Sequence, residues 1–152
     1  MNSRAARIVA RRITPADVPA VLALQARSTE ASQWSAEGYI RAAAGEYPAW
    51  VAGGGEGIHG FLVMRTAADE SEILNLAVEP ERRRQGIASA LLAAAIEACR
   101  AAGAKSVYLE VRESNAVAIA FYRSSGFEPT GRRARYYQDP PEAAVVMSQA
   151  LF

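Results

Sequence analysis

Residues 73 to 92 read ILNLAVEPERRRQGIASALL: an apolar run, a proline turn, three arginines, a glycine and then a helical pattern. Their order decides the fold class, because a short β-rich run followed by apolar residues at helical spacing makes a strand-turn-helix unit. The first backbone N–H groups of such a helix have no partner within it and carry the positive end of its macrodipole. Arg84, Gln85, Gly86, Ile87, Ala88 and Ser89 can therefore aim several donors at a diphosphate, with Arg82 and Arg83 as mobile cations beside them. Gly86 lets the backbone come close, and Ala88 and Ser89 are small enough to leave room. An ordinary capped helix with a solvated arginine run fits the same spacing.

Working outward, RIVARRI (7–13) reads as a strand. TPADVPAVLALQA (14–26) reads as a helix capped by Thr14, with Pro15 in its first turn, Asp17 near the positive dipole end, and Val18, Val21, Leu22 and Gln25 on one face. Ser35 caps a second helix that runs through Ala44 and stops at Gly45. AWVAG (49–53), GIHGFLVMR (57–65) and EILNLAV (72–78) form a three-strand meander. The helix from Gly86 to Ala102 carries Ile87, Leu91, Ala95, Ala98 and Ala102 on one stripe and ends at Gly103. SVYLEVR (106–112) is the next strand, NAVAIAFYRSS (115–125) a helix stopped by Gly126, and EAAVVMSQALF (142–152) a last strand. The expectation is an α/β (α+β) chain, residues 1–152 forming a single domain around a mixed sheet flanked by helices.

With 152 residues, 51% of them hydrophobic, the chain can bury one core, and a formal charge of +1 supplies no global field for a nucleic acid. One cysteine, Cys99, and one histidine, His59, exclude a disulfide framework and leave too few soft ligands for zinc. No apolar run reaches signal-peptide or membrane-span length, so the expectation is a cytoplasmic protein without metal, membrane or nucleic-acid partner. GEGIHG (55–60) has the glycine spacing of a dinucleotide fingerprint but leads into a strand instead of a helix, so that motif is set aside. His59 is expected as an exposed strand residue and Cys99 as a packed thiol.

RRQGIA (83–88) fits the Q/R-x-x-G-x-G/A acetyl-CoA motif, and through it the chain resembles the GNAT N-acetyltransferase superfamily. Three longer blocks, NLAVEPERRRQGIASALL, LEVRESNAVAIAFYRSSGF and RRARYY, resemble the RimI family of ribosomal-protein-alanine N-acetyltransferases, as does the Trp34-Ser35 pair. The resemblance implies a GNAT fold, its mostly antiparallel sheet splayed between the fourth and fifth strands. It implies acetyl-CoA as cosubstrate, with its acetyl and pantetheine end held by backbone at Leu76, Ala77 and Val78, its diphosphate by Arg83 to Ser89, and its pantetheine arm touched by Asn115. A helix cap is the plain reading of Asn115, and the two roles are compatible.

By the same resemblance Glu110 is the general base and Tyr122 the general acid. Periodicity alone puts Glu110 on the face opposite Val107, Leu109 and Val111, where a groove, a buried carboxylate and a surface carboxylate are all open readings. Helical spacing alone makes Tyr122 a core residue, with Phe121 packing on Val117. Trp34 and Tyr137 stand where the family binds its acceptor, implied to be a protein N-terminus, that of a small-subunit ribosomal protein. Two departures bear on that acceptor: the family's Pro-Trp-Ser is Gln33-Trp34-Ser35, and an acidic position in its last strand is Ala143. A small-molecule amine acetyltransferase and a catalytically silent CoA-binding module are the competing classes.

Overall fold

The computed structural model describes residues 7–28, 31–53, 57–138 and 140–151. Its elements are β1 (Val9–Arg12), α1 (Val18–Ala26), α2 (Ala36–Ala43), β2 (Ala49–Gly53), β3 (Gly60–Ala67), β4 (Glu70–Val78), α3 (Ile87–Ala101), β5 (Ser106–Arg112), α4 (Ala116–Ser124), β6 (Glu128–Tyr137) and β7 (Glu142–Ala150). The strand order is β1-β2-β3-β4-β5-β7-β6. β4 and β5 are parallel, and their ladder runs from Glu70↔Ser106 to Ile73↔Leu109 and no further. The pairs β1–β2, β2–β3, β5–β7 and β6–β7 are antiparallel, so the sheet is mixed and splayed after Ile73, as expected.

The chain divides into two compact units, Met1–Arg65 with Leu74–Ala98 and Thr66–Ile73 with Cys99–Phe152. In the first, α1 and α2 bury Val18, Val21, Leu24 and Tyr39 with Val51, Phe61 and Val63 of the strands. Gly60 is required there: a Cβ would stand 2.7 Å from Ile87 and 3.1 Å from Leu91, so only glycine lets α3 seat this close. In the second unit Val107 and Leu109 of β5, Tyr122 of α4, Phe127 and Met147 of β7 are buried.

The entry to α1 is a 3-10 turn, Pro15–Asp17, with Thr14 as its N-cap, as expected. The Thr14 hydroxyl donates to Asp17 Oδ2 (3.0 Å), and that carboxylate takes the Thr14 N–H (2.8 Å) and two bonds from Arg11 (2.7 and 2.8 Å). These donors, Arg11 first, hold the Asp17 carboxyl at about 2 against the cost of burial. A depressed folded-state value stabilises the protein above the unfolded value near ~3.9, and that contribution is lost as pH falls through about 2. Asp17→Asn is therefore expected to cost about 1–2 kcal/mol at neutral pH, discounted because Arg11 is half-exposed. In denaturant titrations its deficit against wild type should shrink between about pH 4 and pH 2; a pH-independent deficit would remove the ionic account.

The structure departs from the sequence reading at several points. β6 is a strand that the sequence does not reveal, because Glu128–Tyr136 is exposed throughout and holds Pro129 and Gly131, so it shows no alternation. Along α3 the expected stripe holds for Ile87, Leu91 and Ala95, but Ala98 is only half-buried and Ala102 is exposed, while Leu92, Ile96 and Cys99 are buried. Val117, the expected partner of Phe121, is 81% exposed. Among the described residues no helix is long and apolar enough to cross a membrane.

Candidate active site

In the first unit β4 hands the chain to a 3-10 turn, Pro80–Arg82, and then to the arginine-glycine corner. Glu79 fixes the start of that turn. Its N–H donates to the His59 carbonyl (2.7 Å), its carboxylate meets His59 Nδ1 (2.7 Å) and the Arg27 guanidinium, and Arg27 also bonds Glu81. Arg27 foremost, then His59, hold the Glu79 carboxyl below the usual carboxylate range. His59 is thus a buried residue, not the exposed one expected, with Nε2 buried and without a hydrogen-bond partner.

Two residues of the corner sit in the left-handed region, Arg84 at φ +64° and Gly86 at φ +85°. The helix proper starts with Ala90 N–H donating to the Gly86 carbonyl (3.0 Å). The N–H groups of Ile87, Ala88 and Ser89 consequently have no carbonyl one turn earlier in α3. Ile87 is buried and anchors the turn, while Arg83, Arg84, Gln85, Gly86 and Ser89 are exposed. A Cβ on Gly86 would meet nothing closer than Ile8 at 3.8 Å, so the space in front of the corner is open. The residues fit an anionic diphosphate: cations, amide donors without a partner inside α3, and room. Leu76, Ala77 and Val78 lie on β4 past the end of its ladder with β5.

The acceptor candidate Trp34 is half-buried, stacked on Tyr39 (centroids 5.6 Å apart) with Tyr47 at its edge. Its backbone is clasped by the Gln25 amide, which donates to its carbonyl (2.8 Å) and accepts from its N–H (3.0 Å). Asn75 of β4 holds Ser32 in the same way, accepting from its N–H (3.1 Å) and donating to its carbonyl (2.9 Å), and also donates to the Tyr39 hydroxyl (3.1 Å). Tyr39 in turn donates to Gln25. Asn75 was not singled out from sequence, although a buried asparagine inside ILNLAV is the signal that could have found it. Ser35 caps α2 as expected, accepting from Gly38 N–H (3.3 Å).

In the second unit Glu110 projects from β5 with a side chain only 11% exposed. Oε1 accepts from Arg133 Nη1 of β6 at 2.7 Å, and Oε2 is buried with no hydrogen-bond partner. Tyr136 and Tyr137 stand near this carboxylate; burial, then hydrogen bonding with Glu110 and its charge, pushes the Tyr136 phenol upward, and burial, then Tyr136 and Glu110, pushes the Tyr137 phenol up to about 12. Tyr137 also lies under the Arg112 guanidinium at 4.4 Å. Tyr122 is buried between Phe121 (5.2 Å) and Phe127 (5.6 Å), and burial raises its phenol well above the ordinary value, with Tyr137 a lesser cause. Asn115 caps α4, its Oδ1 accepting from Ala118 N–H at 3.1 Å. Arg133 is the site neighbour that sequence patterning does not expose, since its pairing with Glu110 spans 23 residues and the whole of α4.

The acetyltransferase (GNAT) family model matches residues 18–127. The chain belongs to this family. It is 40% identical over 90 residues to the [ribosomal protein bS18]-alanine N-acetyltransferase of Escherichia coli K12, covering 58% of this chain and 61% of that protein. It thus spans less than two thirds of the length of that curated relative. The crystal structure of the Escherichia coli ribosomal-protein-S18-alanine N-acetyltransferase superposes with a TM-score of 0.84 at 29% identity, over 95% of this chain and 94% of that one. Arabidopsis thaliana NAA60, solved in complex with acetyl-CoA, gives a TM-score of 0.85 over 95% of this chain and 99% of that one; at 20% identity it speaks for the fold alone.

Proposed function

We propose that this chain is an acetyl-CoA-dependent N-acetyltransferase whose acceptor is the α-amine of a protein N-terminus, that of a small-subunit ribosomal protein. The observation that carries the reading is the buried Glu110 carboxylate with Oε2 left over, which is the acceptor an incoming amine needs. Bound at the Arg83 to Ser89 corner, acetyl-CoA supplies a thioester acetyl group activated toward amines, and Leu76, Ala77, Val78 and Asn115 hold its acetyl and pantetheine portion. Glu110 takes the amine's proton at Oε2 as nitrogen bonds to the acetyl carbon. Tyr122, kept in its protonated form by burial, gives a proton to the departing sulfur as the C–S bond breaks. No acyl-enzyme forms, so buried Cys99 has no part in the reaction. Trp34 and Tyr137 border the acceptor.

The amine's own chemistry supports an α-amine. With a pKa of about 7.7–8.0, roughly one α-amine in ten is neutral at pH 7, whereas lysine at about 10.4 is hundreds of times poorer in the free base. The relatives named for a ribosomal-protein alanine support the same acceptor class. Incubation with acetyl-CoA and short Ala-first peptides, read by intact mass, should show one acetyl group added. Lysine replacement should leave that product unchanged and blocking the N-terminus should abolish it. Acetylation of polyamines or aminoglycosides without any peptide product would replace this acceptor with a small-molecule amine.

A further inference from the structure

We infer that Arg133 is a positioning residue for Glu110: it holds Oε1 and thereby fixes the direction in which the carboxylate is presented to the acceptor's proton. The inference rests on the reading of Glu110 as base, and goes beyond it by assigning the residue that aims it. Directly paired residues of antiparallel strands share a face, so Glu110, Val146 and Gly131 lie on one line across β5, β7 and β6, and Arg112, Ala144 and Arg133 on the next. Gly131 offers no side chain and Ala144 only a methyl, so the arginine can lie diagonally across β7 and reach the carboxylate at 2.7 Å.

The strand is irregular where this matters. Arg133 pairs Ala144 but Tyr137 pairs Glu142, so β6 carries two extra residues here, with Arg135 at φ +55°. In a regular strand Arg133 and Tyr136 would point to opposite faces. The bulge instead turns Tyr136 back under the guanidinium, whose carbon sits 4.4 Å from the ring centre. The guanidinium is thereby held at one end by the ring and at the other by Oε1. A carboxylate fixed at one oxygen keeps its other lone pairs in one direction, which is what proton transfer within a bound complex requires. Glu72, Arg112, Tyr136 and Tyr137 are the other charged or phenolic groups near the Arg133–Glu110 pair, and Arg112 itself bonds Glu142.

The test is a single-turnover rate on the full chain saturated with acetyl-CoA, using an Ala-first peptide. Arg133→Met should lower that rate about 10- to 100-fold, the scale of a misplaced reacting group, with acetyl-CoA affinity and Tm unchanged. Arg133→Lys should recover part of it, and millimolar guanidinium added to Arg133→Ala should restore turnover saturably. A surface ion pair with no positioning role predicts wild-type rates in Arg133→Met, and that result overturns the inference. So does a loss that neither lysine nor guanidinium repairs. Glu110→Gln run in parallel separates the two claims: full activity there overturns the base reading, whereas loss there with an active Arg133→Met overturns only the positioning role.

Discussion

Glu110→Gln is expected to lower acceptor turnover by about 10²–10⁴, the contribution of a positioned proton acceptor, while acetyl-CoA affinity stays at the wild-type value. Glutamine keeps the shape and can still accept from Arg133, so the substitution isolates proton acceptance from packing. Raising the pH should return part of the rate, because more of the amine then arrives neutral and the need for a base shrinks. Tyr122→Phe should behave differently. Phenylalanine fills the same space between Phe121 and Phe127, so stability should hold, but the departing sulfur loses its donor and the rate should fall at every pH without alkaline recovery. Rates must be taken where chemistry limits turnover; wild-type rates in either variant would remove that residue from the reaction.

Gly86→Glu is expected to abolish the rise in Tm that acetyl-CoA produces in the wild-type protein. A ligand bound only by the folded state raises stability by about 2.7 kcal/mol at a hundredfold excess over Kd, so the wild-type shift should be several degrees. The glutamate would place a carboxylate in the open space in front of the unpaired N–H groups of Ile87, Ala88 and Ser89, where the diphosphate's charge must sit. It also forces a side-chain residue into φ +85°, a strain of order 1 kcal/mol. Gly86→Asn separates the two effects, since asparagine tolerates the left-handed region and adds no charge; it should keep most of the ligand shift. A folded Gly86→Glu protein with the full shift would show that the diphosphate binds elsewhere.

The corner before α3 was legible because its causes are local. A strand run into Pro80, then Gly86 before a helical pattern, specifies a turn and a helix start from backbone sterics and hydrogen bonding alone, and the structure places α3 from Ile87. SVYLEVR likewise reads as β5 from its alternation, and Asn115 as a cap from its place before a helical run. His59 failed the same treatment: its neighbours in sequence say strand, but it is buried and bonded to Glu79, twenty residues on.

The sequence by itself determined the order of the elements other than β6, the helix-start corner and the face of β5 that carries Glu110, since each follows from φ/ψ preference or a period of two or 3.6 within one segment. Only the tertiary structure decided that β6 is a strand at all, because its residues show no period-two alternation and Pro129 and Gly131 interrupt it, so β7 supplies what defines it, the hydrogen bonds. It alone decided that Arg133 takes one oxygen of Glu110 and that Asn75 and Gln25 clasp the backbone at Ser32 and Trp34. Those contacts join residues 9 to 43 positions apart, and a side-chain hydrogen bond across such a span leaves no periodic trace in the chain, because its geometry depends on strand register and bulges set elsewhere.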